Sequence, residues 1–150
     1  MELVVVIGII AVLSGTAVFV SRGIQQRSLN NSSLLLQADM RRAQRMALIE
    51  GRRWRILFDT ANNRYSVHYV QPVLSPQSER VWIHLPQNVE FRYVPRASVE
   101  FLPRGTLGGT AFGVGTGFSM SLRNRQYVQQ LTVLPVTGRV EIFEIQRLRN

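Results

Sequence analysis

The sequence predicts an α+β protein in which a long N-terminal helix packs on a mainly antiparallel β-sheet domain. Three observations support this fold class: an apolar N-terminal run, helical spacing of apolar residues as far as Glu50, and alternation of apolar and polar residues after Gly51. The 150 residues suffice for one modest core. We divide them into a transmembrane helix at 1–23, an amphipathic continuation of the helix at 24–51, and a C-terminal β domain at 52–150.

The apolar run covers residues 3–20 and contains no charged side chain. As a helix it is about 27 Å long, close to the hydrocarbon thickness of a bilayer. Glu2 lies at its tip, and a buried ionised carboxylate costs several kcal/mol unless it is paired. The run therefore predicts a membrane anchor, with Glu2 either paired to a cation or reaching water at the helix end. Arg22 and Arg27 follow the run, and local charge alone would place the downstream domain in the cytoplasm.

Helical spacing continues beyond the anchor, with neither Pro nor Gly between Ile24 and Glu50. One face carries the apolar residues Leu29, Leu36, Met40, Ala43 and Ala47. The opposite side is predicted to hold Gln37, Arg41, Gln44 and Arg45. Residues 30–33, Asn-Asn-Ser-Ser, are poor helix formers and predict a local unwinding or a new N-cap. Gly51 is expected to end the helix as its C′ residue.

After Gly51, alternating residues predict strands. Trp54, Ile56 and Phe58 alternate with arginines, and residues 62–63, Asn-Asn, predict the turn of a hairpin. Further strands are predicted at 80–85, 89–94, 98–102, 118–122, 127–134 and 139–145, which makes eight in all. In the last of these, apolar residues fall on both faces, which implies burial on both sides or a β-bulge.

The charge is strongly basic: 18 arginines, no lysine and nine acids give a formal net charge of +9. Such a surface attracts polyanions such as nucleic acid or lipid headgroups without specifying one, and a merely solvated basic surface is the alternative. The sequence has no cysteine, which excludes disulfides, thiolate chemistry and cysteine-based metal sites.

No residue pattern predicts catalysis. His68 and His84 are the two histidines, and neither has an acid at a spacing that suggests a ligand pair or a proton relay. Residues 105–117 hold six glycines but match no phosphate-binding motif, so they predict a flexible surface loop. We therefore expect no enzyme, no catalytic residue, no cofactor and no metal.

The residues from Glu2 to Leu13, ELVVVIGIIAVL, resemble the processed N-terminus of type IV pilins and type II secretion pseudopilins. The segment after the anchor, LLQADMRRAQRMA followed by Gly51, resembles that of the GspH/FimT-like minor pilins and pseudopilins. The runs VEFLPRG at 99–105 and TVLPVTGRV at 132–140 are similar to that group's final strands. Aligned on the glutamate, Met1 occupies the position of the family's fourth mature residue, and we expect a leader peptide and three residues to precede it.

The resemblance implies a minor pseudopilin or minor pilin that helps initiate or cap a type II secretion pseudopilus or a type IV pilus. It implies processing and N-methylation by a prepilin peptidase, single-pass storage in the bacterial inner membrane, and a periplasmic or extracellular C-terminal domain, contrary to the local charge argument. It also implies assembly with other pilins or pseudopilins, with Glu2 paired to a neighbour's N-terminal amine. The assembly residues are then Glu2, Leu3, Val6, Ile7 and Ile10.

A second hypothesis is a FimT-like minor pilin that binds DNA for natural transformation. Non-specific phosphate contacts would come from arginines near the C-terminal strands. The candidates are Arg123, Arg125, Arg139, Arg147 and Arg149. The DNA-binding members carry a Gly-Arg-x-Arg motif, whereas here Glu141 stands in place of the second arginine.

Overall fold

The computed structural model describes residues 2–70, 81–108 and 117–148, with side chains from residue 23 onward. Its first element is a single α-helix, α1, from Glu2–Glu50. The chain leaves this helix at Gly51, whose φ of 61° is the left-handed conformation typical of a C′ glycine. The predicted long helix and its end at Gly51 are confirmed.

The predicted weak point at residues 30–33 is wrong, because α1 continues through it. Ser32 Oγ donates to Ser28 O at 2.9 Å, one turn earlier, so its hydroxyl is satisfied inside the helix. Ser32 and Ser33 are buried against the β domain, at 4 % and 0 % exposure. Tertiary packing thus outweighs the low helix propensity of this segment.

The apolar face of α1 is buried as predicted. Its members Leu29, Leu36, Met40, Ala43 and Ala47 are all fully inaccessible. The polar side differs from the prediction, because Gln37 and Gln44 are half-buried at the edge of the contact. Gln37 Nε2 donates to Val140 O at 2.9 Å, and Arg41 Nη2 donates to the same oxygen at 3.3 Å. The two glutamines therefore extend sideways to the sheet, whereas Arg41 and Arg45 are exposed as predicted.

Ten strands are present among the described residues. They are β1 Trp54–Asp59, β2 Arg64–Tyr69, β3 Trp82–His84, β4 Glu90–Tyr93, β5 Ser98–Phe101, β6 Leu107–Gly108, β7 Phe118–Arg123, β8 Tyr127–Val133, β9 Val140–Ile142 and β10 Gln146–Arg147. The eight predicted strands are all found with shifted ends, whereas β6 and β10 were not predicted. Because β6 pairs with β5, part of the segment 105–117 is ordered sheet and not loop as predicted. Residues 71–78, where two prolines predict a loop, lie outside the described residues.

The strands form two five-stranded antiparallel sheets. The first sheet has the order β3-β2-β1-β5-β6, and the second has the order β10-β8-β7-β4, with β9 also paired to β8. Phe58 of the first sheet stacks on Phe118 of the second, with ring centroids 5.8 Å apart and an interplanar angle of 9°. The Phe58 ring also makes an edge-to-face contact with Phe91, with ring centroids 5.8 Å apart. These rings join the two sheets beneath α1.

The hairpin between β1 and β2 forms where it was predicted. Asn63 takes the left-handed conformation, with φ of 50°, and the Asp59 carboxylate accepts hydrogen bonds from Asn62 and Arg64. These bonds hold the pKa of the Asp59 carboxyl below its ordinary value, and the bond from the Asn62 side chain has the largest effect. The Asn-Asn turn is thus fixed by local polar contacts, which is why the sequence located it.

A one-residue register shift separates β9 from β10, although both pair with β8. Leu131 is opposite Ile142 and Val128 is opposite Gln146, so the outer segment holds one residue more than β8 between these two pairs. Phe143 N still donates to Gln130 O at 2.9 Å, and the Phe143 side chain is 49 % exposed. The predicted final strand is therefore interrupted by a bulge, the second of the two predicted alternatives.

Candidate functional site: the N-terminal helix and the arginine clusters

The predicted assembly residues belong to the first turns of α1, whose backbone is helical from Glu2. The side chains of Glu2, Leu3, Val6, Ile7 and Ile10 lie outside the described residues, so their role stays a prediction. Among the residues whose side chains are described, from 23 onward, no helix is long and apolar enough to cross a membrane.

The described contacts of α1 with the β domain begin at Gln25. Asn124 Nδ2, in the turn between β7 and β8, donates to Gln25 O at 2.8 Å. Ser28 Oγ donates to Asn88 Oδ1 at 3.0 Å, which ties the loop between β3 and β4 to the same part of the helix. About 34 Å of helix precedes Gln25, at 1.5 Å per residue. The β domain is thus anchored on the second half of α1.

The other end of the contact is a latch formed by Gln44. Gln44 Nε2 donates to Gly105 O at 2.8 Å and to Thr137 O at 2.6 Å. Gly138 lies directly beside it with φ of 63°, and a Cβ atom there would collide with Gly105 O and Gln44 Nε2. One glutamine therefore holds the turn after β5 and the turn after β8 against α1. The sequence placed Gln44 on the solvent side and missed this role.

The structure divides the predicted DNA-binding arginines between two ends of the β domain. Arg123, Arg125 and Arg147 lie near the start of β8, where Arg147 pairs with Tyr127 and Arg123 with Val128. Arg139 lies beyond the other end of β8, about 20 Å away at the rise of an extended strand. Arg149 lies outside the described residues. The four described arginines do not form one continuous surface.

Arg139 instead lies close to two arginines of α1 that the prediction did not include. Arg41, Arg45 and Arg139 line a shallow groove together with Gln44, Thr137 and Val140. Arg139 Nε lies 3.6 Å from Glu141 Oε1, the acid that replaces the motif's second arginine. The i, i+4 spacing of Arg41 and Arg45 was the available signal, but only the fold brings Arg139 to them.

The acids of the second sheet partly neutralise its arginines. Arg123 Nε lies 2.7 Å from Glu90 Oε1, and both side chains are about half exposed. In the first sheet, Glu100 forms an ion pair with Arg55, its cross-strand neighbour. Both pairs are typical of structural cross-strand contacts. Among the described residues there is also no group of three His, Cys, Asp or Glu side chains that could hold a metal ion.

The long helix, the two antiparallel sheets beneath its second half and the latch at Gln44 together define a pilin-like α+β fold. No protein-family model and no curated protein matches the sequence. The fold is similar to that of the minor pseudopilin EpsH from the type 2 secretion system of Vibrio cholerae, with a TM-score of 0.58, 11 % identity, and coverage of 77 % of this chain and 96 % of that one. A second solved structure of EpsH gives a TM-score of 0.55 at 11 % identity, covering 79 % of this chain and 97 % of that one.

The type IV minor pilin FimU of Pseudomonas aeruginosa PAO1 gives a TM-score of 0.60, with 15 % identity and coverage of 84 % of this chain and 92 % of that one. At sequence identities this low, the structural similarity establishes the fold of the chain. The fold of this chain is the one seen in these minor pilin and minor pseudopilin structures, as the sequence resemblance implied.

Proposed function

We propose that the chain is a minor pilin or pseudopilin subunit of a type IV pilus or a type II secretion pseudopilus. The observation that carries this proposal is that α1 is one continuous helix, Glu2–Glu50, whose second half packs on the β domain, while the apolar run at 3–20 makes up most of its first half. An uncharged apolar helical run of this length, about 27 Å, needs an apolar partner. In a bilayer that partner is lipid, and in a filament it is the same helix of other subunits.

In this proposal the chain is stored before assembly in the bacterial inner membrane as a single-pass protein, with its C-terminal domain on the periplasmic side. A prepilin peptidase processes and N-methylates it, and Glu2 then pairs with the terminal amine of a neighbouring subunit. In a dry helix bundle only a neighbour in register satisfies both charges, so the pair selects the axial position of the incoming subunit. Both the pilus and the pseudopilus fit this geometry.

Glu2→Ala in the precursor tests the proposal directly. We expect the variant to reach the membrane with its β domain folded, but to enter filaments at least about tenfold less than the parent, because one buried charge then lacks its partner. Glu144→Ala is the matched control, since Glu144 is an exposed acid of the β domain. Recovery of Glu2→Ala in sheared filaments at the level of Glu144→Ala would contradict the pairing.

The structure does not favour the DNA-binding alternative. The candidate arginines are split between two ends of β8, and Arg139 has Glu141 beside it instead of a second arginine. Phosphates of one duplex spaced along a backbone need a continuous basic track for several simultaneous contacts. We therefore do not include DNA among the proposed partners.

A further inference from the structure

We propose that the end of the β domain from which α1 emerges binds anionic phospholipid headgroups while the subunit is stored in the membrane. This inference rests on the proposed function, since it requires residues 3–20 to be inserted. The surface, called here the basic rim, consists of Arg27 on α1, Arg125 in the turn after β7, and Arg147 on β10.

The elements that carry the basic rim are fixed at the same height along α1. The β7–β8 turn is held to Gln25 through Asn124, at 2.8 Å. Leu148 N donates to Gln126 O at 2.8 Å, which places the end of β10 beside that turn. Arg27 lines a groove with Leu85 and Pro86, at the start of the loop whose Asn88 bonds to Ser28. The three arginines of the rim therefore lie at the same end of the domain, near Gln25 of α1.

The position of the rim relative to the apolar run identifies its partner. Gln25 follows residue 20 by five residues, which is about 7 to 8 Å of helix. The headgroup layer on each side of a bilayer is about 5 to 7 Å thick. A turn at the height of Gln25 thus lies at the outer boundary of the headgroups, within reach of arginine side chains.

Charge and polarity at the rim match a phospholipid. Within the described part of the chain, Arg27, Arg125 and Arg147 form no ion pair, whereas Arg123 beside them is paired with Glu90. Arg125 also lines a polar cavity with Gln25, Gln87, Asn88 and Asn124. The Oε1 atom of Gln25 is buried there and accepts no hydrogen bond from the described protein. A headgroup phosphate at this cavity would form a charge-assisted hydrogen bond with Arg125.

The opposite end of the domain is also basic, with Arg41, Arg45 and Arg139 around one groove. It is level with Gln44, which bonds to Thr137, and thus lies about 28 Å further along the helix than Gln25. At that distance the field of a membrane is screened at physiological salt. The rim is therefore proposed as the lipid-binding surface because it is close to the membrane anchor and not because of its charge alone. The distal arginines provide a control of equal charge.

The test uses the full chain reconstituted into vesicles of phosphatidylcholine, with or without phosphatidylglycerol. Because the sequence has no cysteine, Gln87→Cys gives a single site for an environment-sensitive fluorophore between Arg27 and Arg125. Val136→Cys, on an exposed residue of the turn after β8, labels the distal end. A spin-labelled lipid headgroup reports contact by quenching, and circular dichroism checks that every variant is folded.

We expect the label at position 87 to be quenched in vesicles with phosphatidylglycerol and at least about tenfold less in phosphatidylcholine alone, since each arginine near an anionic surface contributes to binding. The triple variant Arg27→Gln, Arg125→Gln, Arg147→Gln should lose this quenching. The control Arg41→Gln, Arg45→Gln, Arg139→Gln should keep it. The label at position 136 should stay unquenched throughout.

Five outcomes overturn the proposal. Equal quenching at position 87 with and without phosphatidylglycerol would show that the rim does not recognise anionic lipid. Equal loss of quenching in the two triple variants would show the same. Loss of duplex DNA binding in the rim variant with lipid contact intact would assign the rim to nucleic acid. If the chain co-floats with both kinds of vesicle in a density gradient but the label is not quenched, this inference is wrong and the proposed function stands. If the chain co-floats with neither kind of vesicle, both this inference and the proposed function are wrong.

Discussion

The hydroxyl of Tyr65 on β2 donates a 2.6 Å hydrogen bond to the carboxylate of Asp39, at the centre of the domain-facing half of α1. Tyr65 is fully buried and Asp39 is half-buried. Burial, followed by the bond to Asp39, raises the pKa of the Tyr65 hydroxyl far above its ordinary value. This contact ties the first sheet to the helix, between the polar contacts at Gln25 and at Gln44 and nearer to the latter.

Tyr65→Phe should destabilise the β domain by about 1 to 2 kcal/mol, because it removes a hydrogen bond to a charged group while keeping the ring. Asp39 is accessible enough to regain water, so the loss should not be larger. Both tryptophans, Trp54 and Trp82, lie on strands, and their fluorescence during urea unfolding of the full chain in detergent reports the domain. Tyr93→Phe is the control: Tyr93 is 59 % exposed, and this change should be nearly neutral. Equal effects of the two variants would show that the contact contributes nothing.

Alkaline stability should depend on Tyr65. Its pKa is raised in the folded state, so its contribution is fully present below about pH 10, the value of an exposed tyrosine, and is lost as the pH rises above that. The free energy of unfolding should fall by up to about 1.4 kcal/mol per pH unit above about pH 10 for this one group. The sequence has no lysine or cysteine, which leaves few other groups to titrate there. Urea midpoints measured across this range should show a smaller slope in Tyr65→Phe, and an unchanged slope would refute the prediction.

Most of the fold follows from local sequence patterns. The face of α1 through Leu36 and Met40 was visible as a helical repeat, and the β1–β2 hairpin as alternation around two asparagines. The two missed strands, β6 and β10, are two residues long and form only because β5 and β8 offer free edges. Such strands carry no periodic signal of their own. Their existence depends on the tertiary structure and not on their residues.

The candidate site was predictable only in part. The apolar run and Glu2 are local features, and they led to the proposed mode of assembly. The grouping of the arginines is a property of the fold: Arg139 and Arg147 are near in sequence but lie at different ends of β8. Likewise, a polar side chain such as Gln44 gives no sign in the sequence that it will bond to Gly105, 61 residues away. Long-range polar contacts of this kind have no periodicity.

Gly138→Ala should destabilise the β domain strongly, by about 3 kcal/mol. Alanine resists the positive φ of this turn, at a cost of about 1 to 2 kcal/mol, and its Cβ collides with Gly105 O and Gln44 Nε2. Gly51→Ala is a matched control, because Gly51 has nearly the same φ, 61°, but nothing within 4 Å of its Cβ position. The control should therefore lose only about 1 to 2 kcal/mol. Thermal unfolding followed by fluorescence compares the two, and equal losses would mean that the latch at Gln44 does not restrict the turn.

Ser33→Ala should stabilise the chain, by about 1 kcal/mol. Ser33 of α1 is fully buried against the β domain, and its hydroxyl has no hydrogen-bond partner within the described residues. Removing it eliminates an unsatisfied polar group, and alanine also has the higher helix propensity. Ser32→Ala is the control, because Ser32 Oγ already bonds to Ser28 O at 2.9 Å, so that change should stay within about 0.5 kcal/mol of the parent. Urea unfolding of the full chain distinguishes the two. A loss of stability in Ser33→Ala would mean that the hydroxyl is satisfied after all, and that residues 30–33 stay helical because of polar contacts and not because of burial alone.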